Sequence, residues 1–172
     1  MNRKLDILAA IGLALGAIGG LAGSFVGDAA LRALCWGVDG AALVMATALL
    51  TLKYFRRSQD IVAAGFLVFA VGEGLVLSTA AAALDGPQAV FAGGVALWAT
   101  ALLLISVPNA FPALVRLAGI VAAALFYVVA LQILSGTALT PLSQPLPFFA
   151  YPVLVLTMAG WIWTLLRGRG DA

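Results

Sequence analysis

Few residues in this chain carry chemistry, and two of them stand in surroundings that exclude water. Glu73 lies in the middle of Phe66-Leu-Val-Phe-Ala-Val-Gly72-Glu73-Gly74-Leu-Val-Leu-Ser78. On a helix it falls about 18 Å into that apolar run, close to the centre of a bilayer. A carboxylate at that depth is costly on every scale, and such acids mark ion or proton pathways. The flanking Gly72 and Gly74 carry no side chains, so a neighbouring helix or water is expected to approach there. A hydrogen bond to another helix is the alternative use of the same carboxyl.

Asp39 is the second candidate, in Cys35-Trp-Gly37-Val-Asp39-Gly40. It is expected about 7 Å below the near end of its run. Arg32, seven residues earlier on the same helical face, is expected to reach down to it by snorkelling. If both carboxyls face one cavity, Asp39 and Glu73 form two steps of a path, separated in depth by some 9–11 Å. Ser78 is expected to line the gap. Tyr127 and Gln132 are expected as polar partners, and Asp28 and Arg32 supply charge at the outer mouth. Asp28 also stands four residues before Arg32, a spacing that allows a helical ion pair. The other acids have ordinary places: Asp6 beside Arg3, Asp60 four residues after Arg56, Asp85 in a turn with Gly86 and Pro87, and Asp171 in the tail.

Several chemistries are closed to the chain. It has no histidine, which removes His-ligated metals, bis-His haem and a Ser-His-Asp triad. Its one cysteine, Cys35, makes neither an intrachain disulfide nor a metal cage. Lys4 and Lys53 lie at run ends, unsuited to a buried Schiff base. Gly37-Val-Asp39 is similar to the Gly-x-Gly-Asp motif of intramembrane aspartyl proteases. It departs from that motif at Val38, and no Tyr-Asp partner is present. Neither enzymatic activity, a metal nor a cofactor is expected.

The elements that position these residues follow from composition. Of 172 residues, 64% are hydrophobic and 9% charged, with a mean hydropathy of +1.14. Soluble domains are about 25% charged, so these charges are too few to cover a water-exposed surface. A bilayer core about 30 Å thick needs about 20 apolar residues per helix. That length gives six spans in a single membrane domain over residues 1–172: Leu5 to Gly27, Leu34 to Leu52, Ile61 to Leu84, Ala89 to Val107, Ala113 to Leu134 and Phe148 to Leu166. The fold expected is an all-α integral membrane protein, a six-helix bundle with short loops. Pro87, Pro112 and Pro152 are expected near helix starts, where a missing N–H does little harm.

Lysine and arginine set the direction, because cytoplasmic loops retain positive charge. With both termini inside, Arg3, Lys4, Lys53, Arg56, Arg57, Arg116, Arg167 and Arg169 are cytoplasmic, and only Arg32 lies outside. Trp36 and Tyr151 then fall at the outer interface and Tyr54 at the inner one. The first span is expected to be retained, since no clean A-x-A cleavage site precedes Asp28. Gly12, Gly16 and Gly20 recur every four residues, and Gly19, Gly23 and Gly27 repeat the pattern on an adjacent face. Such spacing lets helices approach closely, within the bundle or against a second chain. The Pro-rich second half has no counterpart of this pattern, so no internal repeat is expected. Ser135 to Pro147 is expected to be an outer loop that lies on the membrane or caps the bundle.

These readings lead to one functional expectation: a small transporter or channel with a midplane carboxyl, handling a proton, a cation or a small solute. The alternative is a non-enzymatic accessory or scaffold subunit acting through helix packing. The expected partners are the lipid bilayer and, through the first span, a second copy or another membrane protein, with no nucleic acid. The basic residues flank apolar runs and orient helices. Short loops and the Ala/Leu/Gly bias favour a bacterial cytoplasmic membrane.

Overall fold

A computed structural model describes residues 3–81 and 88–167. Its six helices are α1 (Arg3–Phe25), α2 (Ala29–Phe55), α3 (Asp60–Ala81), α4 (Gln88–Ser106), α5 (Ala113–Leu134) and α6 (Leu146–Arg167). No strand occurs among the described residues. All six helices are long and apolar enough to cross a membrane, so the protein is an all-helical six-helix membrane bundle. The expected end of the third span at Leu84, the Asp85 turn, Pro87, Arg169 and Asp171 lie outside the described residues.

Each helix packs against its sequence neighbours, and α6 closes back onto α1. Among the described residues the helix backbones come close only between these neighbours, so the six form a closed ring whose side chains meet across a central axis. Leu8, Ile18, Leu114, Leu131 and Leu156 point outward, 50 to 81% exposed. An apolar perimeter of this extent suits lipid rather than water.

Glycine sets how closely α1 approaches its neighbours. A methyl group at Gly12 would stand 2.9 Å from the Ala42 carbonyl oxygen, and one at Gly19 would stand 2.9 Å from that of Cys35. Gly16 makes room for Leu43, Gly23 for the Trp36 indole, and Gly20 for the Tyr151 ring of α6. These glycines are thus covered by the chain's own helices. Gly72 packs in the same way between α3 and α4, with the Gly94 carbonyl oxygen 3.0 Å from where its Cβ would be. Gly74, expected to pack, instead faces outward with nothing near it, because it lies two residues round the helix from the buried Gly72 face.

The α1–α2 link departs from expectation. Helix α2 starts at Ala29, five residues before Leu34, because the Asp28 side chain caps it by accepting the Leu31 N–H at 2.8 Å. Arg32 turns back to donate to the Val26 carbonyl at 2.8 Å and the Gly27 carbonyl at 3.3 Å. It therefore satisfies backbone at the end of α1 and does not reach down to Asp39. Helix α6 also starts early, at Leu146, so Pro152 lies inside it rather than near its start. Proline has no N–H to give the Phe148 carbonyl one turn back. Pro112 is the N-cap of α5, as expected.

Aromatic rings fill one half of the axis. Tyr54 stacks on Phe66 with centroids 5.4 Å apart, and Phe66 meets Trp161 edge-on at 5.2 Å. Phe111, in the α4–α5 link, inserts against both Phe66 and Trp161. Tyr54 is therefore a core residue and not an interfacial anchor. Beside this plug, Lys53 Nζ lies 2.6 Å from Asp6 Oδ1, with both side chains at least nine-tenths buried. Asp6 is thus paired across α1 and α2 rather than with Arg3 nearby in sequence. Lys53, Tyr54 and Phe111 all lie at the ring's terminal end, where α1 begins and α6 finishes.

Candidate functional site

The other half of the axis encloses a small cavity. Starting α2 at Ala29 lowers Asp39 to about 15 Å from that helix end, twice the expected depth. Asp39 and Glu73 lie about 24 and about 20 Å from the ends at which α2 and α3 are joined, so they differ in level by only about 4 Å. Both are buried, at 4% and 3% exposure. Both line one cavity of about 40 Å³, to which all six helices contribute. It runs from Pro141 in the α5–α6 link, past Pro147, Ser24 and Trp36, inward to Glu73 and Trp98. No lysine or arginine is among its lining residues.

Asp39 is held at one oxygen: its Oδ2 accepts the Tyr151 hydroxyl at 2.8 Å. Its Oδ1 is buried without a partner, beside Gly16, whose Cβ would stand 3.2 Å away. The glycine stripe of α1 thus supports the site: Gly16 and Gly19 abut Asp39, Gly20 abuts Tyr151, and Gly23 abuts Trp36. On α3, Glu73 places Oε1 3.3 Å from where a Cβ on Gly40 would be, while Oε2 is buried and unpartnered. The Trp98 indole N–H is buried next to the Glu73 carboxyl and faces it as a donor, without closing to regular hydrogen-bond geometry. Buried polar atoms are nearly always satisfied, so the unpartnered Asp39 Oδ1 and Glu73 Oε2, on two residues that line one small cavity, make it the candidate site. Water needs about 10–15 Å³ of such space, so about 40 Å³ admits about three water-sized groups.

The remaining sequence candidates do not join the cavity. Ser78 is exposed and donates to the Leu75 carbonyl at 2.7 Å, its place on the helix turning it outward. The Tyr127 hydroxyl pairs with Thr100 Oγ1 at 2.8 Å, tying α5 to α4. Gln132 is half-buried near the end of α5, where its backbone carbonyl accepts the Thr137 N–H and the Ser135 hydroxyl. Asp28 and Arg32 are engaged in the α1–α2 link.

Sequence reasoning missed Tyr151, Trp36 and Trp98 as parts of the site. Tyr151 and Trp36 stand near span ends in the sequence, where amphipathic rings also suit the interface. The early start of α6 carries Tyr151 inward, and Trp98 packs on it at 6.1 Å.

Chemically, the arrangement offers two carboxyl groups with one free oxygen each, a phenol fixing the first, and aromatic faces around both. Groups of this kind are able to hold a proton or a cation. Among the described residues no group of three or more His, Cys, Asp or Glu is gathered. Compared with protein-family models, curated proteins and solved structures, the chain matches none.

Proposed function

We propose that this chain is a small transporter or channel-like protein of a bacterial cytoplasmic membrane, binding a proton or cation between Asp39 and Glu73. One observation carries the reading: two buried carboxyls, each with an unpartnered oxygen, share one cavity near mid-bilayer. Packing glue would leave neither oxygen orphaned, because a buried polar atom without a partner costs about 1–3 kcal/mol.

Charge supports an orientation with both termini cytoplasmic. Arg3, Lys4, Lys53, Arg56, Arg57, Arg116 and Arg167 lie at the terminal end and Arg32 at the other. The cavity then approaches the outer face, beneath the α5–α6 link, while the aromatic plug closes the cytoplasmic half.

Proton and monovalent-cation flux into liposomes tests the reading. Glu73→Gln keeps the shape and removes the charge, and it is expected to lower flux at least tenfold. Carbodiimide is expected to label Glu73 in the wild-type protein. Flux unchanged in Glu73→Gln overturns the proposal.

A further inference from the structure

The cavity's lining narrows what kind of cation it suits. We propose that it takes a small alkylammonium ion, the N–H groups directed at Asp39 Oδ1 and Glu73 Oε2 and the carbon atoms against aromatic faces. This rests on the reading of the cavity as a cation site and adds the chemical class of its occupant.

Three features point the same way. Two acids line the cavity and no lysine or arginine does, so the complement is positive. Both acceptor oxygens are buried and unpartnered, as an N–H donor requires. The remaining surface is mostly apolar and rich in rings, with Trp36, Trp98 and Tyr151 among them. Rings of this kind attract ammonium groups through their negative faces and also pack methyl groups. A bare Ca²⁺ ion gathers 6–8 oxygen ligands and Mg²⁺ an octahedron. This lining has few oxygens to offer, and its main surface is of no use to such an ion. The space, about 40 Å³, suits an ammonium nitrogen with one or two methyl groups, which keeps at least two N–H donors.

Tryptophan fluorescence of the purified full chain in detergent tests this at equilibrium, with no transport required. Methylammonium and dimethylammonium chloride are titrated at constant ionic strength against sodium and potassium chloride. Saturable change with an alkylammonium, absent with sodium and potassium over the same range, is expected. Glu73→Gln is expected to weaken it at least tenfold. Val129→Phe, which keeps both carboxyls and fills the cavity, is expected to abolish it. No saturable change with either alkylammonium, an equal change with sodium or potassium, or unaltered binding in both variants overturns the inference. Glu73-dependent proton flux without alkylammonium binding sinks this inference and leaves the transport reading standing. Alkylammonium binding without any flux does the reverse.

Discussion

Lys53 and Asp6 form the ion pair at the terminal end, 2.6 Å apart and sheltered from water. Removing one partner of such a pair strands a buried charge, which costs about 3–5 kcal/mol, whereas removing both is far milder. Lys53→Met is therefore expected to lower the unfolding temperature in detergent markedly, and Asp6→Asn with Lys53→Met to restore most of it. Equal losses in the single and double variants would deny the pair its role. This contact was hidden from the sequence, because 47 positions separate its members and Arg3 stood nearer to Asp6. Glu73 and Asp39 were legible for the opposite reason: a charge inside an apolar run has no local excuse. Tyr151 was not, since a tyrosine near a span end suits an interface and a cavity equally well.

Helices were the most legible level, because bilayer thickness fixes their length and charged or Pro-rich breaks separate them. What escaped was the exact start of α2 and α6, each set by a cap or turn outside the apolar run. That error of five residues at α2 changed the relative level of the two carboxyls, and so the reading of the site. The glycines of α1 were recognised as a packing stripe, although not as the shelf beneath Asp39, Tyr151 and Trp36. Gly12→Ala places a methyl group 2.9 Å from the Ala42 carbonyl oxygen and must push α1 from α2. Overpacking of this sort costs about 1–3 kcal/mol, so a lower unfolding temperature is expected. Gly74→Ala meets nothing within 4 Å and is expected to be neutral or slightly stabilising, alanine being the better helix former. If both variants behave alike in thermal unfolding, close approach is not what holds this seam.

At the level of the whole molecule, the ring divides its axis between a closed half and a half that encloses a small cavity. The closed half joins α2, α3, the α4–α5 link and α6 through Tyr54, Phe66, Phe111 and Trp161. The half with the cavity holds both carboxyls beneath the α5–α6 link. For a transporter, this arrangement has one route of approach and a barrier opposite it. Movement of a bound cation to the other side then requires the aromatic rings to part.

The closure of α6 onto α1 has a topological consequence. A ring of staves has no first or last member, and here the start of α1 and the finish of α6 meet at the same end. The order of synthesis is thus arbitrary with respect to the finished wall. A circular permutant that joins the old termini through a short flexible linker and opens at Ser58, an exposed turn between α2 and α3, keeps every helix crossing in its original sense. It is expected to insert and yield a monodisperse protein with native helical content by circular dichroism. Failure to insert, or lost helicity, would mean that α1 must enter the membrane first to guide the rest.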